Sequence, residues 1–277
     1  MIPAPFEYQR ADSVEQAIEV LSANEDAKIL AGGHSLLPLM RLRLARPSLL
    51  VDISRVRDLS YVREDGDAVA IGALTTHHEV ANSDALQSLC PIVPFAASEV
   101  GDPQVRHVGT IGGSVAHADP ASDLPPVLLA LGAEMVVRGP GGAVRTVPAA
   151  AFFRGLFEPD LAPNEILTEI RVPKLAGRGW SYIKFHRRAQ DWAMVAVAAV
   201  AGSNGSPAAV TLANMADRPF RAAGVEEALA SGADPATAAA RADEGTSPPS
   251  DTFASAEYRR ELSKVLVRRA LEEALAG

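Results

Sequence analysis

The chain of 277 residues has a single cysteine, Cys90. One thiol rules out an internal disulfide, and also an iron–sulfur cluster held by this chain alone, because such clusters need several thiolates. Cys90 stands between Leu89 and Pro91 with no histidine near it in sequence, the setting of a small buried apolar residue rather than a nucleophile. Basic residues are in the minority, 26 Lys and Arg against 34 Asp and Glu, and the net charge of −8 argues against a nucleic-acid binder. No apolar run reaches bilayer-spanning length, and Met1–Arg10 lacks the basic-then-apolar layout of a signal peptide, so a cytoplasmic protein is the expectation. Three nucleotide or nucleophile signatures are missing as well: G-x-G-x-x-G, G-x-x-x-x-G-K-[ST] and the G-x-S-x-G elbow.

What the chain does have is two strand–Gly-Gly–Ser stretches. In Gly101–Pro126 a turn, Gly109-Thr110-Ile111-Gly112-Gly113-Ser114, precedes the polar residues His117, Asp119, Ser122 and Asp123 and the apolar run Val127–Leu131. Paired glycines let peptide N–H groups approach and turn toward an anion, and Thr110 and Ser114 add hydroxyls. A helix is expected to begin near Ser122, capped by Ser or Asp, since Pro125 and Pro126 fit only a first turn. Its positive end would face the same anion. Alone, the glycine pair reads sooner as a Gly-rich turn before a buried helix, since Gly and Pro mark turns everywhere. The second stretch, Ile29-Leu30-Ala31-Gly32-Gly33-His34-Ser35-Leu36, repeats the pattern, and two such cradles suit a ligand with two phosphates clasped from both sides.

These motifs carry a family resemblance. AGGHSLLPLM, RLRLARPSLLVDIS, IGALTTHHEV and VRHVGTIGGSVAHADPASDLPP, in that order, resemble the FAD-binding medium subunit of the molybdenum hydroxylases, the carbon monoxide dehydrogenase and xanthine dehydrogenase type. The likeness runs the length of the chain. Ser114 departs from it, since many relatives have Asn after the glycine pair, but either residue can hydrogen-bond a phosphate or ribityl oxygen.

The resemblance implies an α+β fold: a two-subdomain FAD-binding domain of the PCMH/vanillyl-alcohol-oxidase type over 1–175 (subdomains about 1–53 and 54–173), then a C-terminal domain of antiparallel sheet and helices over 176–277. It implies FAD as cofactor, with molybdopterin and iron–sulfur clusters on a large and a small partner subunit in a doubled heterotrimer. It carries flavin contacts over to Ala31, Gly32, Gly33, His34, Ser35 and Leu36, and to Thr110, Ile111, Gly112, Gly113, Ser114, His117, Asp119 and Asp123. Asp123 suits a ribityl or ribose hydroxyl, and equally a helix N-terminal charge. Lys184-Phe185-His186-Arg187-Arg188 and Asp191-Trp192-Ala193 resemble the family segment that reaches the flavin ring. There Lys184 would stabilise negative charge on the reduced ring and Trp192 would stack on or border it; alternatively Lys184 is a solvated strand end and Trp192 a core anchor. Electrons would pass from the molybdenum centre through the iron–sulfur subunit to FAD and on to a quinone, NAD or dioxygen. The rivals are a free-standing FAD-dependent oxidoreductase and a scaffold subunit that has lost FAD.

The remaining pattern gives the elements. Strands are expected at Phe6–Tyr8, Lys28–Ala31 and Leu49–Ile53, separated by a helix opened by the capping box Ser13-Val14-Glu15-Gln16 and by a helix over Leu36–Leu44. Tyr61–Arg63 and Ala68–Ile71 form a hairpin, Thr75 or Thr76 caps a helix through Val80, and Pro91–Val100 is helical. Ala133–Arg138 pairs with Ala143–Val147, and Glu165–Val172 is a further strand before a linker at Pro173–Gly179. Beyond it, Trp180–Arg187, Ala193–Ala201 and Ala208–Ala213 are strands. The apolar run AMVAVAAVA suits helix or strand by periodicity, and the turn-like Ser203-Asn204-Gly205-Ser206-Pro207 favours strand. Ala222–Ala242 is helical and split by Gly232 and Pro235. Ser255–Ala276 is an amphipathic helix with Tyr258, Leu262, Leu266 and Ala270 on its apolar face. A metal reading of His77-His78-Glu79 or of His117, Asp119 and Asp123 is disfavoured: adjacent histidines point apart, and a full ligand set is lacking.

Overall fold

The computed structural model describes residues 1–202 and 208–276. Strands β1 (Glu7–Arg10), β2 (Ala27–Leu30) and β3 (Leu49–Asp52) form a parallel sheet with β3 in the middle. Parallel neighbours need crossovers, and the helices Val14–Ala23 and Leu36–Arg41 supply them. Ser13 caps the first, accepting the Gln16 N–H at 3.1 Å; the Gln16 side chain reaches back to the Asp12 N–H, one residue earlier than a capping box would place it. The first strand begins one residue later than expected, and the second helix stops three residues short of Leu44.

β4 (Val62–Asp65), β5 (Ala68–Gly72), β6 (Glu134–Arg138), β7 (Val144–Pro148) and, after the small hairpin of β8 (Phe153–Gly155) and β9 (Glu158–Pro159), β10 (Ile166–Pro173) follow. β10 joins two hairpins into one antiparallel sheet in the order β4-β5-β10-β6-β7. Its central place explains why Ile166–Ile170 is buried without a break. The helices His77–Ala81, Ile92–Ser98, Ile111–His117 and Leu124–Leu131 share a core with this sheet, including Ile71, Val80, Ile92, Ile111, Leu128 and Ile170. Cys90 lies in it as filler, and burial pushes its thiol up to about 12. One correction concerns the glycine pair: Gly112 and Gly113 are the second and third residues of a helix capped by Thr110, not part of an open turn. The helix expected near Ser122 starts at Leu124, with both prolines in its first turn.

The last sheet runs β11 (Trp180–Phe185), β12 (Val195–Val200), β13 (Ala209–Ala213) and β14 (Phe220–Arg221), antiparallel in chain order. The pair Phe220–Arg221 had no expected counterpart, and the turn expected at Ser203–Pro207 lies outside the described residues. β12 is buried at every position because the sheet lies between two cores. Ala196, Ala198 and Val200 face the main core, where small side chains let the helix Leu124–Leu131 approach; Val195, Val197 and Ala199 face the helix Ala256–Ala276. That two-sided burial is why the run AMVAVAAVA shows no alternation. On the long helix the buried stripe is Arg259, Ser263, Leu266, Val267, Ala270, Leu271 and Ala274; of the expected face, Leu266 and Ala270 are in it, Leu262 packs partly buried against it, and only Tyr258, about half exposed, lies off it. Its unexpected member, Arg259, is 1 % exposed, donates to Asp251 Oδ2 at 2.6 Å and also to the Met194 carbonyl. It thereby pins the chain just before β12. Arg259→Met removes two charge-assisted hydrogen bonds and is expected to cost about 3 kcal/mol, lowering Tm by several degrees in thermal denaturation; a change within error would contradict this role.

Candidate functional site

The two glycine stretches meet. Gly32 follows β2, and a side chain there would lie 2.2 Å from the Val108 carbonyl oxygen and 2.8 Å from Gly109 Cα. Only glycine permits that approach. Gly33 has φ +73° and turns the chain into the helix Leu36–Arg41, with the Leu37 N–H donating to the Gly33 carbonyl at 2.9 Å. Among the described residues, the N–H groups of Gly32, Gly33, His34 and Ser35 have no backbone acceptor, and the Ser35 hydroxyl does not cap its helix. The first stretch is therefore a run of unspent donors.

The second stretch is different, and this corrects the expectation of a second set of free peptide donors. The Ile111 N–H donates to Thr75 O at 3.0 Å, Gly112 N–H to Ala73 O at 2.9 Å, and Gly113 N–H to Thr110 Oγ1 at 3.1 Å. Those bonds fasten the helix to the segment 73–76 and leave the Ser114 hydroxyl and the open side of Gly113 facing outward. A β-carbon on Gly113 would lie 2.8 Å from the capping hydroxyl Thr110 Oγ1, which would have to shift, and would otherwise meet nothing within 4 Å.

His77 backs the seam. Its N–H donates to Gly109 O at 2.9 Å, and its ring lies where a Gly109 side chain would be, 3.1 Å from Cδ2. Its Nδ1 is buried without a partner. Burial, reinforced by Arg106 and His34 nearby, pushes the imidazole down to about 4. His78 points the other way, stacked on His107 with ring centroids 4.0 Å apart, and no group of three metal-ligating side chains occurs among the described residues. His117 closes the second helix, half-buried, with Phe157 against its ring at 5.0 Å; burial holds it below the ordinary imidazole value. Asp119 Oδ1 accepts the Ala121 N–H at 2.9 Å.

Deeper in, Asp123 and Lys184 form a buried pair. Lys184 Nζ is 3.0 Å from Asp123 Oδ1 and 3.1 Å from Oδ2, and donates to the Glu99 carbonyl at 2.8 Å. Tyr182 Oη donates to Asp123 Oδ1 at 2.7 Å. Burial raises the Asp123 carboxyl, against the opposing pull of Lys184 and Tyr182, and drives the Tyr182 phenol well above its usual range. Lys184 is thus no solvated strand end, its side chain being 2 % exposed. The loop it holds at Glu99 is gripped next door by Arg106, whose Nη1 donates to Val100 O at 3.0 Å and Gly101 O at 3.3 Å, so the pair connects to the His77–Gly109 seam. Tyr182 was not among the expected site residues; the signal for it is that residues 182 and 184 share one face of a strand. Trp192 is 57 % exposed in the loop between β11 and β12, which excludes a core anchor. The cavity of about 500 Å³ edged by Asp12, Arg55, Tyr61, Arg138 and Arg171 contains none of these residues.

Two expectations follow. An unfolded histidine takes up a proton near pH 6.5, whereas folded His77 resists it until about pH 4. Its contribution is complete above pH 6.5 and is lost as pH falls toward 4, about 3 kcal/mol in all; denaturant melts of His77→Gln between pH 4 and 7 should show a flattened acid-side slope, and an unchanged slope would contradict it. Lys184→Met leaves a buried carboxylate unpaired and should cost about 3–5 kcal/mol, with Lys184→Met/Asp123→Asn recovering part of the loss. Equal stability of the two variants would refute the pairing.

Comparison with known proteins completes the picture. Residues 4–175 match the family model described as FAD binding domain in molybdopterin dehydrogenase, and residues 180–274 the CO dehydrogenase flavoprotein C-terminal domain. The carbon monoxide dehydrogenase medium chain of Hydrogenophaga pseudoflava is 40 % identical, covering 100 % of this chain and 99 % of its own. The glyceraldehyde dehydrogenase medium chain of Sulfolobus acidocaldarius is 39 % identical, covering 99 % of each. A chain of the solved Hydrogenophaga pseudoflava carbon monoxide dehydrogenase superposes with a TM-score of 0.95 at 41 % identity, over 100 % of this chain and 99 % of that one.

Proposed function

The chain belongs to the FAD-binding, medium-subunit family of the molybdenum hydroxylases, and from that membership we propose that it relays electrons from an iron–sulfur small subunit to an external acceptor, a quinone, NAD or dioxygen. It is an FAD-dependent oxidoreductase subunit with a mixed α and β fold, an FAD-binding domain followed by a C-terminal domain of antiparallel sheet and helices. The proposal places the domain division at residue 175, a molybdopterin large subunit beside the small one in a doubled heterotrimer, and the complex in the cytoplasm. Among the described residues, no helix is long and apolar enough to cross a membrane. The relatives are named for carbon monoxide and for glyceraldehyde, so the substrate oxidised by the complex is left open.

The observation that carries the reading is the seam at Gly32 and Gly109, with the unspent donors of residues 32–35 on its edge. The donor set fits FAD: peptide N–H groups and a serine hydroxyl for the pyrophosphate, and a carboxylate and an ammonium farther in for the polar chain and ring. Bound FAD would supply the redox chemistry, taking up electrons and giving them to an acceptor.

The chain's own residues then position and tune. Gly32, Gly33, His34, Ser35 and Leu36, with Ala31 before them, would hold the pyrophosphate from one side. Thr110, Ile111, Gly112, Gly113 and Ser114 would present a rigid wall and a hydroxyl from the other, with His117 and Asp119 at its far end. Asp123 keeps lone pairs beyond those engaged by Tyr182 and Lys184, enough to accept a ribityl or ribose hydroxyl. Lys184, held by Asp123 and Glu99 in a dry setting, would favour negative charge on a neighbouring ring. Trp192, exposed on its loop, would border that ring.

Gly113→Leu tests the reading, because the added side chain displaces the Thr110 hydroxyl, 2.8 Å from its β-carbon, and beyond it meets only open space beside the cradle. The variant is expected to keep its fold and to lose at least ~10-fold in FAD affinity, measured by flavin fluorescence titration. Undiminished affinity in a folded variant would move the site elsewhere.

A further inference from the structure

The small hairpin of β8 and β9 ends against the local preferences of its turn. Leu156 and Phe157 connect the paired residues Gly155 and Glu158. Phe157, the second of the two, has φ +56°, while Leu156 keeps a negative φ. A two-residue turn with that pattern takes glycine or asparagine at its second position, and an aromatic residue there is strained. Burial does not compensate, since Leu156 is 55 % exposed and Phe157 49 %. The base of the hairpin is the opposite. Phe152 and Phe153 are buried, Arg154 is paired with Asp160, and Arg218 donates to the Arg154 carbonyl. A firm base thus carries a strained, exposed tip.

What the tip touches is the second wall of the candidate site. The Phe157 ring packs on His117 with centroids 5.0 Å apart and planes 33° apart, and β9 lies on the helix Ile111–His117. On that helix Gly113 and Ser114 stand four and three residues before His117, so the three share one face. The open side of Gly113 and the Ser114 hydroxyl therefore continue to the ring that Phe157 covers. Among the described residues neither ring nitrogen of His117 has a hydrogen-bond partner, and the side chain is held by Phe157. Strain also gathers here. Of the five non-glycine residues with left-handed φ among the described residues, three surround positions 117–120: Ala118 at +52°, Phe157, and Asn214 at +59°, whose N–H donates to the Pro120 carbonyl at 2.7 Å. Such clustering marks places shaped for a ligand at the expense of stability.

We infer that Phe157 is a positioning residue for FAD, holding the His117 ring at the end of the second wall and covering it against water. It acts through His117 and needs no contact with the cofactor of its own. The inference rests on the reading of the cradle as the FAD site. In that reading the segment from Ser114 to Asp123 runs from a pyrophosphate contact to a ribityl or ribose contact, and His117 stands between them. An imidazole held there by an aromatic ring, and not by a hydrogen bond, keeps one nitrogen to donate to the ligand and one to accept from it.

The test measures the FAD affinity of the full chain by flavin fluorescence titration, well below the Tm of each variant. It compares wild type with Phe157→Gly, Phe157→Tyr, His117→Ala and the double variant Phe157→Gly/His117→Ala. Phe157→Gly is expected to weaken binding ~10-fold and His117→Ala at least as much. Phe157→Tyr keeps the ring and should bind as wild type does. The double variant should bind no more weakly than His117→Ala, because the two residues act as one unit. Losses that multiply in the double variant overturn action through His117, and Phe157→Tyr weakened as much as Phe157→Gly shows that the ring is not what matters. Phe157→Gly with a lowered Tm and undiminished affinity makes the ring a structural cover only and overturns the inference. If Gly113→Leu loses FAD while Phe157→Gly and His117→Ala keep it, the inference falls and the cradle stands. Wild type that takes up no FAD overturns the proposed function, and this inference with it.

Discussion

Everything at the site depends on one backbone contact, the passage of Gly32 against Val108 and Gly109 with no room for a β-carbon. It joins the parallel sheet of the first fifty residues to the antiparallel unit that follows. Either stretch alone would be an ordinary turn into a helix. Brought together they make one concave edge, on which the first contributes donors and the second, with its own amides already bonded to residues 73–75 and to Thr110, contributes rigidity. A preorganised anion site needs its donors backed by fixed structure, and the second stretch supplies that backing.

The C-terminal sheet is not an appendage to this arrangement. Its β11 strand sends Tyr182 and Lys184 into the helix start at Asp123, and β13 adds a hydrogen bond from Thr211 Oγ1 to Pro126 O at 2.7 Å. A buried ion pair is a weak source of net stability but a strong enforcer of one geometry. Here it fixes the orientation of the second unit toward the first, through Glu99 and the Arg106 grip on residues 100 and 101. Under the proposed function the same groups would meet the polar chain and ring of a flavin.

Much of this was legible in the residues. Local signals such as the Ser13 and Thr76 caps, the paired prolines before Val127 and the linker ahead of Trp180 placed most elements within a residue or two, because caps and prolines act over one turn. The two Gly-Gly stretches, expected to face one ligand, do meet in the fold, and the family likeness named FAD. What stayed hidden was set by distant partners. At the second glycine stretch the amides of Ile111 and Gly112 are taken by the Thr75 and Ala73 carbonyls, which no local pattern encodes. On the last helix Leu262, Leu266 and Ala270 do face the core, but the buried residue of its first turn is Arg259 and not Tyr258, because the partners Asp251 and Met194 become neighbours only in the folded chain. Whether Lys184 is a solvated strand end was left open for the same reason: its partners Asp123 and Glu99 are distant in sequence.

The measurement that bears most directly on the central claim is amide hydrogen exchange of the full chain with and without FAD. The account requires new protection at residues 32–35, whose N–H groups lack acceptors, and little change at Ile111–Gly113, whose N–H groups are already bonded. Protection gained at the second stretch and not at the first would contradict it.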